Sequence, residues 1–336
     1  MDAVNAKIYS VETAAERAEA LSAAATAVQG GKVIVVPTDT VYGIAADAFS
    51  AGGVRALLAA KGRSRQMPPP VLIYSSSVLA GLADDISDEA RALADAFWPG
   101  PLTLICYAQP SLTWDLGDTK GTVALRVPSD DLTIDLLRQT GPLAVSSANK
   151  TGRVAATTAA EAADQLGENV ELIVDGGIRP VNRGEDVEAK DIMPSTIVDC
   201  TGETPVIVRE GAIGADEIRS VAPGALTKRQ WDEQRRIEAQ QALDARAMAE
   251  EPTAGSVSAA QVADEIEHEP IKPARRASAP SNTSHLSKLV GASTSTGGVD
   301  QLRTEGAHFV ESQRAQDVTK PLSVDTARSL VFGTKK

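Results

Sequence analysis

The 336 residues carry 33 basic and 45 acidic side chains, a formal charge of -12. The imbalance lies wholly in residues 1–226, with 18 basic and 30 acidic side chains against 15 of each beyond; an acidic surface of this kind repels phosphate backbones and excludes broad nucleic-acid binding. All three histidines, His268, His285 and His308, lie beyond residue 226, which excludes Ser-His-Asp and Cys-His nucleophile systems and histidine-ligated zinc from the acidic part.

The first twenty residues, MDAVNAKIYSVETAAERAEA, show no basic stretch leading into an apolar one. No apolar run approaches the roughly 20 residues of a membrane span, so a cytoplasmic protein is expected. VETAAERAEALSAAATAVQGG, residues 11–31, predicts a helix stopped by Gly30 and Gly31. KVIVVP follows as a buried strand closed by Pro37. Helix and strand then alternate. GGVRALLAAKG precedes the strand VLIYS, and SDEARALADAFW precedes PLTLICYA. TVALRVP is followed by helical DDLTIDLLRQT and the strand LAVSS, and after these come TAAEAADQLG, ELIVDGG, STIVDC, TPVIVRE and helical GADEIRSVA.

Nearly continuous apolar strands between amphipathic helices predict an α/β domain with a largely buried sheet over residues 1–226. Residues 227–251 are rich in helix formers with a thin apolar stripe, an exposed helix. Residues 252–336 are dominated by Ala, Ser, Thr, Pro and charge, a low-complexity composition that predicts a disordered tail. Cys106 and Cys200 have no metal-ligand spacing and read as buried core thiols.

Neither a GxxxxGK[ST] loop nor a GxGxxG turn is present. Four other segments fall at strand ends, where ligands gather in open α/β sheets. VPTDTVYG, residues 36–43, carries Thr38, Asp39, Thr40 and Tyr42. KGRSRQMPPP, residues 61–70, carries Lys61, Arg63 and Arg65, the last expected to be a solvated neighbour. GTVALRVP carries Thr122 and an arginine, Arg126, that burial would penalise unless it were paired or held an anion. VSSANKTGR, residues 145–153, carries Ser146, Ser147 and Asn149; PSTIVD and VIVREG add Ser195 and Arg209. Taken alone, the first also reads as a hydroxyl-rich turn, the second as a solvated loop and the fourth as a capped turn. Together they offer cations and hydroxyls without a histidine, a set suited to holding an anion and stabilising charge as a phosphoryl-type bond breaks.

In order, VPTDTVYGIAADAF, AKGRSRQMP, FWPGPLTLI, VALRVP, SSANKTG, VDGG and STIVD with VREGAI resemble the YrdC-like threonylcarbamoyl-adenylate synthase family over about residues 20–220. The resemblance implies a twisted mixed sheet flanked by helices around a concave, positively lined cavity. It implies formation of L-threonylcarbamoyl-AMP and pyrophosphate from L-threonine, bicarbonate or carbon dioxide, and ATP. Magnesium would be carried by the ATP, with no metal held by the protein. A separate transferase complex would then move the threonylcarbamoyl group to tRNA.

Carried over motif by motif, Thr40, Arg126, Ser195 and the backbone at Val145 would hold threonine. Arg63, Thr122, Ser147, Asn149, Arg209, Ala155 and the backbone near Met67 would hold ATP, and Lys61 would face the reacting centre. The chain departs from the family pattern near Leu72 and at Ser129 and Asp130, where many members have histidine. It departs again at Pro194-Ser195-Thr196-Ile197, in place of ESTV, and in a longer connection over 178–193. The competing reading is an RNA-binding or accessory protein on the same fold, binding tRNA or double-stranded RNA weakly and lacking synthase activity.

Overall fold

Thr13 begins the first long helix, α1 (Ala14–Gln29), through a capping box: its hydroxyl accepts the Glu16 N–H at 3.2 Å while the Glu16 carboxylate accepts the Thr13 N–H at 2.9 Å. The computed structural model describes residues 6–181, 187 and 192–250, the side chains of 247–250 aside. The expectations for residues 252–336 and for most of the 178–193 connection lie outside these residues. Through Ala242 the described chain belongs to one compact unit; only the last turns of the final helix belong to the second, which begins at Leu243.

The strands expected from the sequence form β2 (Ile34–Val36), β4 (Val71–Leu72), β6 (Leu102–Ala108), β7 (Thr122–Arg126), β8 (Leu143–Ser147), β9 (Leu172–Asp175), β10 (Thr196–Asp199) and β11 (Val206–Arg209). Four strands were not read from the sequence: β1 (Lys7–Ser10), β3 (Gly43–Asp47), β5 (Ala83–Asp84) and β12 (Leu226–Thr227). All join one mixed sheet in the order β1-β9-β2-β3-β8-β4-β7-β6-β10-β11-β12, with β5 beside β6. The parallel pairs include β6 with β10 and β4 with β7; β3 with β8 and β6 with β7 are antiparallel.

The other helices are α2 (Ala51–Ala60), α3 (Leu79–Leu82), α4 (Asp88–Phe97), α5 (Asp131–Thr140), α6 (Ala159–Leu166), α7 (Ala215–Val221) and α8 (Lys228–Glu250). Side chains alternate across a strand, and this places the layers. On β2, Ile34 and Val36 pack with Leu21 of α1 and Leu136 of α5, whereas Val35 packs with Leu57 of α2 and Leu166 of α6. Helices therefore cover both faces of this half of the sheet. In the other half, Leu104 of β6, Leu125 of β7 and Val198 of β10 bury one face against Leu93 of α4 and Ile218 of α7. Their neighbours Thr103, Ile105, Thr122, Ala124, Arg126, Ser195 and Ile197 turn to the opposite face and border a cavity.

Cys106 and Cys200 sit in that apolar layer, and burial pushes both thiols up, Cys106 to about 11. The register that sets Asp199 opposite Ile105 brings these cysteines, distant in sequence, onto neighbouring strands. Among the described residues no helix is long and apolar enough to cross a membrane. Helix α8 is exposed, with Trp231 between the Lys228 ammonium at 4.5 Å and the Arg235 guanidinium at 5.6 Å.

Candidate active site

The cavity has a volume of about 630 Å³, within the range of ~300–1,000 Å³ usual for small-molecule sites. Its floor follows β7. Thr122 and Arg126 lie four residues apart on one face of that strand, so at about 3.3 Å per residue the floor is roughly 13 Å long. Arg63, Met67, Val145, Ser147, Asn149, Ala155, Ser195, Arg209 and Thr40 all border the same space. These are the positions the sequence pointed to, with Lys61 as the exception.

Lys61 is placed behind the wall. It caps α2 at 1% exposure, and its ammonium donates to three amide oxygens: Ser147 O, Asn149 O at 2.8 Å and Asn149 Oδ1 at 3.3 Å. Its own carbonyl accepts the Thr151 hydroxyl at 2.7 Å. Gly62, at φ +65°, turns the chain out of the helix at this point. The lysine thus joins the KGR and SAN segments from beneath rather than facing the cavity. Burial, with the Arg63 guanidinium nearby, pulls its pKa down to about 7.

Arg63 does reach the cavity. Its Nη1 donates to Ser146 Oγ at 3.0 Å, and its buried Nε–H has no partner among the described residues. The SAN turn is closed by Ser147 Oγ donating to Asn149 Oδ1 at 2.6 Å and by Asn149 Nδ2 donating to the carbonyls of Lys150 and Arg153 at 2.8 and 2.9 Å. Asn149 is therefore occupied in shaping the turn. The PTDTVYG segment is bound to it through Ala148 N–H to Tyr42 O at 2.7 Å and Tyr42 N–H to Ala156 O at 2.9 Å. Between them, Gly43 lies where a Cβ would come within 2.6 Å of Val145 Cγ1, so only glycine allows this approach.

At the other end, Arg126 is 6% exposed and answers the question its burial raised. Its Nη2 donates to Asp39 Oδ1 at 2.6 Å and its Nε to Gly100 O at 3.0 Å, with Thr40 Oγ1 at 3.4 Å. Ser195 shares its hydroxyl with Thr103 at 2.9 Å, and Arg209 Nη2 donates to Ser195 O at 2.6 Å and Oγ at 3.1 Å. Burial lowers the Arg209 pKa, and Arg126 and Arg63 push in the same direction. Arg65, expected to be a solvated neighbour, is exposed and paired with Asp115 at 2.7 Å.

Sequence reasoning left out Arg153, which borders the cavity directly after the SAN turn. Its place on that turn was the available signal. Asp39, noted only as a loop residue, proves to be the partner of Arg126. Among the described residues Lys61, Arg63, Arg153 and Arg209 have no carboxylate partner, and no group of three or more metal-ligating side chains occurs. The donor set is therefore cationic and hydroxylic, fit for anions.

A family model named Sua5_yciO_yrdC and described as "Telomere recombination" matches residues 26–211. A Mycobacterium tuberculosis protein, provisionally assigned as a threonylcarbamoyl-AMP synthase, is 45% identical over 206 residues, covering 61% of this chain and 90% of its own length. The threonylcarbamoyl-AMP synthase of Pyrococcus abyssi is 34% identical over 199 residues, covering 59% of this chain and 56% of that protein. The solved structure of P. abyssi Sua5 complexed with L-threonine superposes with a TM-score of 0.59 at 32% identity, over 66% of this chain and 62% of that one.

Proposed function

The chain belongs to the Sua5/YciO/YrdC family, and on that premise we propose that it is a threonylcarbamoyl-AMP synthase, joining L-threonine, bicarbonate or carbon dioxide, and ATP with release of pyrophosphate. The observation that carries this reading is the charge of the cavity. Arg63, Arg153 and Arg209 line it without carboxylate partners among the described residues, in a domain whose overall charge is negative. Cations held together repel one another, and the cost is relieved when a polyanion enters. A nucleoside triphosphate supplies that anion, and its magnesium arrives with it.

The threonine end is Arg126, Thr40 and Ser195. Asp39 fixes the Arg126 guanidinium so that its remaining edge meets a carboxylate without reorganisation. The nucleotide end is Thr122, Met67, Ser147 and Ala155, about 13 Å along β7. Thr122 Oγ1 donates to Thr119 O at 2.8 Å and Ser147 Oγ to Asn149 Oδ1, so toward a ligand both hydroxyls act as acceptors. Arg63, close enough to Arg209 to help lower its pKa, would with it hold the reacting phosphate.

Threonine's neutral amine adds to carbon dioxide and releases a proton to solvent, giving a carbamate. A carbamate oxygen then attacks the α-phosphorus, the bond to the β-phosphate oxygen breaks, and its electrons leave with pyrophosphate. The protein positions the two anions and neutralises them, which accounts for an arrangement with no histidine base. The adenylate would pass to a separate transferase acting on tRNA.

Pyrophosphate release from Mg-ATP, with L-threonine and bicarbonate omitted in turn, tests the reading. Release should require both. Arg63→Ala should lower it about a hundredfold with an unchanged melting temperature, whereas Lys61→Ala should lower both the rate and the melting temperature. Release that ignores threonine, or salt-sensitive tRNA binding without turnover, would favour the RNA-binding alternative.

A further inference from the structure

Two loops meet over the nucleotide end of the cavity, and an ion pair holds them together. Arg65, in the loop that carries Arg63 and Met67, presents Nη1 and Nη2 to the two carboxylate oxygens of Asp115 at 2.9 and 2.7 Å. Its Nε faces Asp118 Oδ1 at 3.5 Å, and its carbonyl accepts the Asp118 N–H at 2.8 Å. Asp115 also accepts the Gly117 N–H at 3.3 Å, which shapes the turn. Gly117 has φ +110°, and a Cβ there would stand 2.6 Å from Arg65 O, so the two backbones touch where a side chain cannot fit.

From this junction the second loop runs directly into the site. Leu116, 2% exposed, and Thr119 border the cavity, and the Thr119 carbonyl accepts both the N–H of Thr122 at 3.0 Å and its hydroxyl at 2.8 Å. Behind it Trp114 stacks on Phe49 with ring centroids 5.6 Å apart. The first loop is anchored beyond its prolines by Val145 N–H to Pro70 O at 2.8 Å. Each loop is thus fixed at its far side, and the Arg65–Asp115 pair joins their near sides.

We infer that Arg65 and Asp115 form a clasp that positions the nucleotide wall of the cavity, setting Met67 and Thr122 without touching the reactants. Both side chains are substantially exposed, 47% and 37%, and ordinary exposed pairs are weak. A bidentate arginine–carboxylate pair with a second carboxylate and a backbone hydrogen bond is the geometry in which such a pair does count. Its effect is local: among the described residues the threonine end, built on Arg126 and Asp39, has no bond to either loop tip.

The inference rests on the proposed synthase reading, and the test separates the two. Michaelis constants for ATP and for threonine, together with calorimetric Mg-ATP binding, would be measured for Arg65→Ala, Asp115→Ala, the double variant and Gly117→Ala. Expected is a rise of about fivefold in the ATP constants for each single charge variant, with the double variant no worse than either. kcat and the threonine constant should stay within about twofold. Gly117→Ala, which forces the loops apart without altering charge, should move the ATP constants in the same direction.

Unchanged ATP constants in all four variants, additive losses in the double variant, or threonine and ATP constants rising in step would overturn the clasp. A wild type that binds Mg-ATP but releases no pyrophosphate with threonine would instead remove the synthase reading, with the binding constants still deciding the clasp. A wild type that does not bind Mg-ATP would overturn both.

Discussion

Lys61 shows how a charged side chain in a ligand-binding motif can serve the motif from behind. Three amide oxygens surround its ammonium, and they oppose the burial and the neighbouring guanidinium that hold its pKa near 7. An unfolded lysine titrates near 10.5, so between about pH 7 and 10.5 the folded state binds fewer protons than the unfolded state. Stability from this group therefore rises with pH across that window and is at its lowest below about 7. Relative to Lys61→Met, the wild type should gain up to about 1 kcal/mol per pH unit between pH 7 and 9. Urea unfolding at both pH values measures this; a difference that is flat or falls with pH would show that the ammonium keeps its proton. Arg126 makes the contrasting case. Its burial was legible from an arginine ending an apolar strand, but its partner was not, because Asp39 is distant in sequence and joins it only when β7 and the PTDTVYG loop converge.

At the scale of elements, the strands read from the sequence were those with β-branched or leucine-rich runs. β3 escaped because GIAAD has little strand propensity of its own; it is a strand because β2 and β8 pair with it on either side. β1 and β12 are short edge pieces whose pairing is entirely tertiary. The turn after β11 carries a testable constraint. A Cβ on Gly211 would lie 2.6 Å from Ser195 C, 2.7 Å from Ser195 O and against Pro194 O, all backbone atoms that cannot move aside cheaply. The Gly211 N–H also donates to Thr196 Oγ1 at 2.9 Å. Gly211→Ala should cost about 2 kcal/mol of stability and raise the threonine Michaelis constant by displacing Ser195. Thermal unfolding and steady-state kinetics on one preparation check both, and a variant with wild-type threonine dependence would show that Ser195 does not depend on this turn.

Across the whole molecule, the described cavity-lining residues fall between Thr38 and Arg209. A chain ending after residue 251 should therefore release pyrophosphate at a rate within about twofold of the full chain, since no described lining group is lost. A larger fall would assign residues 252–336 a part in catalysis. The sequence by itself determined the α/β class, the acidic balance and the segments that meet at the site, because hydrophobic periodicity, charge and motif spacing are local properties of the chain. Only the tertiary structure decided which cations face the cavity and which support it. Lys61 and Arg63 are two residues apart, yet one turns beneath the SAN turn and the other into the cavity. Arg65 stays exposed yet gains Asp115 as a partner because a loop fifty residues away folds against it. Burial and pairing arise from long-range packing, which no local pattern encodes.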